Sequence, residues 1–139
     1  MSLKSNPSVS VIIPTYNGEK FVEEALKSIH AQTVPVEEIL VVDDGSTDQT
    51  EKIVKKFERV RYFSQQHTGM PTAGRNRGLK ESRSDFIAFL DQDDWWPENK
   101  LETQLNKMFL KEKPDIVMGK TKIINTESAN NRLNLEKRY

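Results

Sequence analysis

Three continuous apolar runs, each cut short by small polar residues, constrain the fold of this 139-residue chain more than any other feature. They are Ser8-Val9-Ser10-Val11-Ile12-Ile13-Pro14, Glu38-Ile39-Leu40-Val41-Val42 and Asp85-Phe86-Ile87-Ala88-Phe89-Leu90. Runs this apolar are the pattern of strands buried on both faces, where helices cover a parallel sheet. Pro14 stops the first run and biases the residue before it toward an extended or turn conformation.

Helix-periodic stretches fill the intervals. Gly18 to Gln32 puts Phe21, Val22, Ala25, Leu26 and Ile29 on one stripe, opposite Glu19, Lys20, Glu23, Glu24 and Lys27. Ser46 through Gln49 fits a capping box ahead of a helix with Ile53, Val54 and Phe57 inward. Val60 to Ser64 reads as a further strand, and Gly69 to Lys80 as a loop and short helix rich in small residues. Pro97 suits the first turn of a helix whose apolar side carries Leu101, Leu105, Met108 and Phe109. Asp115-Ile116-Val117-Met118-Gly119 is a last strand candidate, and Lys120 to Tyr139 is polar. The expected architecture is open α/β, a mostly parallel sheet with helices on both faces. One domain over 8–119 is expected, after a disordered or tag-like segment 1–7 and before a polar segment 120–139.

Composition removes several function classes. The absence of cysteine excludes a disulfide scaffold, a thiolate zinc site and a thiol nucleophile, and leaves the cytosol as the default location. With 21 basic and 21 acidic side chains the net charge is zero, so no basic stripe draws nucleic acid or anionic lipid. No apolar run approaches the roughly 20 residues a membrane-spanning helix needs, and the polar start has no signal-like core.

Polar residues gather at the predicted strand ends: Pro14-Thr15-Tyr16-Asn17-Gly18, Asp43-Asp44-Gly45-Ser46 and Asp91-Gln92-Asp93-Asp94. In a parallel sheet all three share one rim, where ligands bind. Taken singly, each is also a good turn or helix cap. Asp91 and Asp93, one residue apart on an extended backbone, project to the same side and can meet a hard divalent cation that also holds substrate phosphates. Of Asp43 and Asp44, one is expected to accept from a base N–H or a ribose hydroxyl, the other to serve the turn into the next helix. Tyr16 offers a flat face to a base, and Arg75 and Arg77, flanking Asn76, can meet phosphate oxygens. His30 and His67, the two histidines, have no Ser–Asp partners nearby, so a hydrolytic triad has no support; His30 is expected at the carbonyl-rich end of its helix. Trp95 and Trp96 either wall the Asp cluster or supply core.

Four segments in order, Val9-Ser10-Val11-Ile12-Ile13-Pro14-Thr15-Tyr16-Asn17-Gly18, Val41-Val42-Asp43-Asp44-Gly45-Ser46-Thr47-Asp48, Gly74-Arg75-Asn76-Arg77-Gly78-Leu79 and Phe89-Leu90-Asp91-Gln92-Asp93-Asp94, resemble the family 2 glycosyltransferases. The resemblance runs from Val9 to Met118 and fades in the polar tail. It implies a GT-A fold with a Rossmann-like nucleotide-binding half and a nucleotide-sugar donor, most commonly UDP-linked. Pro14, Thr15 and Tyr16 then line the nucleoside pocket and Asp44 meets the base. Asp91 faces the ribose, and Asp93 coordinates Mg2+ or Mn2+ on the diphosphate. Asn17, Asp43, Gly45, Ser46, Arg75 and Gln92 complete the implied donor site, although Gly74 interrupts the family's Ala-Arg-Asn pattern. The resemblance further implies transfer with inversion to a glycan or lipid-linked acceptor of polysaccharide or cell-envelope synthesis, at a cytoplasmic site that can include the inner membrane face. The family's general base lies in an acceptor-binding half beyond the metal motif; this chain is expected to hold only the donor site, with 120–139 the start of that missing half. Here Glu127 and Glu136, the acids after Asp115, sit in no such motif, so no catalytic base is assigned. The competing reading is a nucleotide-sugar-binding or assembly module without turnover. A phosphoacceptor receiver fits poorly because its acid pair follows the first strand, whereas Asp43-Asp44 follows the second.

Overall fold

The computed structural model describes residues 7–110 and 114–122. Strands β1 (Val9–Thr15), β2 (Glu38–Asp43), β3 (Val60–Ser64) and β4 (Phe86–Phe89) alternate with helices α1 (Val22–His30), α2 (Thr50–Val54), α3 (Pro71–Glu81) and α4 (Lys100–Met108). The four strands form one parallel sheet in the order β3-β2-β1-β4. The two most apolar strands, β1 and β2, are central and buried along their whole length.

Period-two alternation sends the side chains of β1 to opposite faces. Val9, Val11 and Ile13 join Ile39 and Val41 in a core with Val22, Ala25, Leu26 and Ile29 of α1, Val54 of α2 and Leu101 of α4. Ile12 points to the other face, where α3 covers the sheet. There Gly74 and Gly78, one helical turn apart, bring the α3 backbone onto Pro14 and Ile12: a Cβ on Gly78 would lie 3.0 Å from Ile12 Cδ1, and one on Gly74 3.0 Å from Pro14 Cβ. Helices thus lie on both faces.

Registration aligns the functional rim. Thr15 pairs with Asp43, and Asp43 with Ser64. Asp44 N–H donates to the Thr15 carbonyl at 2.8 Å, and Leu90 N–H to that of Ile12 at 3.1 Å. The loops after β1, β2 and β4 therefore leave the sheet side by side.

Several local expectations change. Phe21 is 43% exposed because it occupies the N-cap of α1, with φ −127°, and stands off the helical stripe. Ser46 and Gln49 form no capping box: α2 starts only at Thr50, whose N–H is accepted by Asp48 Oδ1 at 2.9 Å. Pro97 precedes α4 and accepts from Lys100 N–H instead of lying in its first turn. Phe109 follows α4, 39% exposed, with its ring edge-on to Phe86. The strand expected over 115–119 does not form among the described residues. Ile116 and Met118 are 77% and 88% exposed, and a segment without a neighbour has no ladder for its backbone polar groups. Trp96 is core, with Lys100 Nζ 3.4 Å from its ring centroid, and Trp95 is half-buried.

Candidate functional site

A cleft of about 490 Å³ opens at the carboxyl rim of the sheet. It is lined by Pro14, Thr15 and Tyr16 at the end of β1, Asp44 after β2, His67, Gly69 and Met70 between β3 and α3, Pro71 and Arg75 in the first turns of α3, and Asp91, Gln92 and Asp93 after β4.

Gln92 fixes the loop after β4 to the loop after β1. Its Oε1 accepts from Thr15 Oγ1 at 2.5 Å and from Tyr16 N–H at 3.0 Å, while its Nε2 donates to the Tyr16 carbonyl at 3.1 Å. Gly18 is required beside it, because a Cβ there would collide with Gln92 Oε1 and approach Thr15 Oγ1 to 2.8 Å.

Asp43 and Asp44 divide their work. Asp43 Oδ1 accepts from Ser46 N–H at 2.7 Å and Oδ2 from Tyr62 Oη at 2.5 Å, so this carboxylate shapes the turn after β2. Asp44 grips the loop after β3. It accepts from Gln65 Nε2 at 2.8 Å, from Thr68 N–H at 2.9 Å and Thr68 Oγ1 at 2.9 Å, and from Gly69 N–H at 2.9 Å. Burial by itself would raise the Asp44 carboxyl, but these hydrogen bonds outweigh it and hold the group down at about 2. Gly45 supplies the turn beneath the pair, at φ +84°.

Asn17 and Ser46, expected in the donor site, serve a clasp between the first two loops and do not line the cleft. Asn17 N–H donates to Ser46 Oγ at 2.8 Å, and Thr47 N–H donates to Asn17 Oδ1 at 2.9 Å. Asp43 and Gly45 are likewise outside the lining.

Arg75 reaches across the cleft and pairs with Asp91 Oδ1. The interrupting Gly74 lets this turn of α3 descend onto Pro14, which places Arg75 at the rim. Arg77 turns away, donating to the Ser64 carbonyl at 3.0 Å and lying over Phe63. Asp94 is off the lining; burial, then the negative charges of Asp93 and Asp91, raise its carboxyl above the usual range. His30 meets the helix end as expected, its Nδ1 2.9 Å from the Leu26 carbonyl. Glu127 and Glu136 lie outside the described residues.

The sequence reading missed His67. Its ring stacks on Tyr16 with centroids 4.1 Å apart and planes 26° apart. No sequence period marks it, because its place depends on the grip of Asp44 on residues 65–69. Met70 and Gly69 were missed for the same reason.

Asp91 and Asp93 present hard oxygen donors, the set that Mg2+ or Mn2+ prefers. Among the described residues no group of three potential metal ligands converges. Two carboxylates plus diphosphate oxygens and water are the coordination such a cation commonly takes, so the residues fit the ion as a shared site.

An open parallel sheet in this order, with its cleft at the rim and a carboxylate pair after the edge strand, is the arrangement of the GT-A fold. Residues 10–139 match the family described as Glycosyl transferase family 2, and the chain belongs to that family. It is 38% identical over 122 residues to the Escherichia coli UDP-Glc:alpha-D-GlcNAc-diphosphoundecaprenol beta-1,3-glucosyltransferase WfgD, covering 86% of this chain and 48% of that protein. It superposes on the crystal structure of S. aureus TarS 1–349 in complex with UDP with TM-score 0.69 and 36% identity, over 73% of this chain and 32% of that one. The Pyrobaculum calidifontis mannosyltransferase PcManGT in complex with GDP-Man and Mn2+ matches with TM-score 0.70 and 26% identity, over 76% and 33% of the two chains. The chain spans only 18% of the length of a Rickettsia conorii glycosyltransferase to which it is 44% identical.

Proposed function

We propose that this cleft binds the nucleoside diphosphate of a nucleotide-sugar donor, and that the chain is the donor-binding part of an inverting, metal-assisted glycosyltransferase. The observation that carries the reading is the meeting, in one cleft, of the stacked rings of Tyr16 and His67 with the charged side chains of Arg75, Asp91 and Asp93. A flat base and a charged diphosphate need those two environments within one site. The UDP in TarS, the GDP-Man and Mn2+ in PcManGT and the UDP-Glc in the name of WfgD support a nucleotide-sugar donor. The lipid-diphosphate acceptor in the name of WfgD supports a lipid-linked glycan acceptor, as in cell-envelope synthesis.

In this reading Pro14, Thr15 and Tyr16 line the nucleoside end, with Asp44 behind them. Arg75 meets the diphosphate and is positioned by Asp91. A divalent cation held by Asp93 and Asp91 supplies, when bound, neutralisation of the charge that develops on the departing nucleoside diphosphate. Gln92 keeps the first and last loops at a fixed spacing, so Asp91 and Asp93 are held ready before the donor arrives. An acceptor hydroxyl attacks the anomeric carbon from the opposite face and gives its proton to a base. The carboxylates lining the cleft, Asp44, Asp91 and Asp93, are engaged on the donor side, and no base is assigned among the described residues.

The test is donor binding. The purified chain should bind UDP-glucose in manganese, and the Asp93→Ala variant should bind it at least about tenfold more weakly. Release of UDP by transfer to water or to a lipid-diphosphate saccharide would exclude the module without turnover.

A further inference from the structure

The polar atoms around the stacked rings of Tyr16 and His67 are almost all spent. Both Asp44 oxygens accept from the loop 65–69, the Thr15 hydroxyl donates to Gln92, and both ends of the Gln92 amide are engaged. His67 and the Tyr16 hydroxyl are the exceptions, and only His67 offers a ring nitrogen. Its Nδ1 lies 2.9 Å from the Asp44 backbone carbonyl and 3.1 Å from Asp44 Oδ2. Both are acceptors, so Nδ1 carries the hydrogen. Nε2 of the neutral ring is then a bare acceptor, and among the described residues it has no hydrogen-bond partner.

The stacking with Tyr16 fixes how a base can approach. Rings 4.1 Å apart leave no room for a third between them. A base entering the cleft must use the outer face or the edge of the pair, and His67, half-exposed, lines the cleft there.

We propose that His67 Nε2 reads the ring N–H of the donor's base, selecting bases that carry an imino hydrogen, uracil and guanine, over cytosine and adenine. The proposal rests on the donor-binding reading above and adds the base-reading atom. An uracil or guanine ring N–H donates to Nε2. Cytosine and adenine present a bare nitrogen at the equivalent ring position, and two acceptors face each other. Asp44 becomes a positioning residue, holding Nδ1 and thereby fixing which nitrogen accepts.

The experiment is calorimetric titration of the 139-residue chain with UDP and with CDP, in manganese, for the wild type, His67→Phe and His67→Gln. Phe keeps a ring against Tyr16 and removes the acceptor; Gln offers a carbonyl oxygen in its place. The wild type should prefer UDP by roughly tenfold, the size of one discriminating hydrogen bond. His67→Phe should reduce that ratio to about two or less, and His67→Gln should restore most of it. GDP against ADP should show the same pattern. A wild type that binds UDP and CDP equally, or a His67→Phe variant that keeps the full preference, overturns the assignment of His67 and leaves donor binding standing. Failure of every nucleotide to bind the wild type overturns both.

Discussion

Arg75 and Asp91 meet across the cleft, the guanidinium Nη2 hydrogen-bonded to the carboxylate Oδ1, and so join the first turns of α3 to the loop after β4. Asp91 is thereby drawn toward the cation beside it and held where a diphosphate and its metal ion would arrive.

In the proposed reading the pair serves the ligand more than stability. Its side chains are 32% and 49% exposed, and an ion pair so open to water contributes roughly 0–1 kcal/mol. Arg75→Met should therefore leave the thermal midpoint within about 3 °C of the wild type. The same substitution should weaken UDP binding by about tenfold or more, since charge-assisted contacts to phosphate are among the stronger hydrogen bonds. Parallel thermal melts and titrations check both halves.

Gly78 sets how closely α3 lies on the sheet. Its added Cβ would lie 2.5 Å from Ile12 Cγ2, part of a rigid β-branched side chain at the centre of the sheet. Gly78→Ala gains up to about 1 kcal/mol of helix propensity but must push α3 outward, and such overpacking costs about 1–3 kcal/mol. Urea unfolding should show a net loss of about 1 kcal/mol, where a surface helical glycine would show a gain.

Much of this was legible in the sequence because apolar runs and turn residues act locally. Three of the four strands, the parallel sheet and the rim loops follow from Ile12, Leu40 and Phe89 standing in unbroken apolar runs that end at Pro14, Asp43 and Asp91. The interior helices were legible too, through Val22, Leu26 and Ile29. What the sequence did not disclose depends on contacts between distant segments. Asn17 and Ser46 read as ligand residues but bond to each other's loop, and His67 carries no local pattern because Asp44 holds it in place from the end of β2. Phe21 misled because an N-cap residue leaves the helical spiral just where the periodic pattern counts it as inward.

Asp44 ties this loop to the acid stability of the fold. Its carboxyl sits at about 2 in the folded chain against 3.8 for the free group. A depressed carboxyl contributes stability that is complete above its unfolded value and disappears as pH falls through its folded one. The window is therefore pH 4 down to pH 2, and at 1.36 kcal/mol per unit the contribution is about 2 kcal/mol. Chemical denaturation across that window should show stability falling with acid, and Asp44→Asn should flatten the slope by about one proton. An unchanged slope would mean the carboxylate is not gripping residues 65–69.

Titration of the 139-residue chain with UDP, in manganese and in EDTA, decides whether the cleft is a metal-assisted donor site. One UDP should bind per chain in manganese, at least about tenfold more weakly in EDTA, with the same weakening for Asp93→Ala in manganese. Absence of UDP binding, or binding indifferent to both manganese and Asp93, would contradict that assignment.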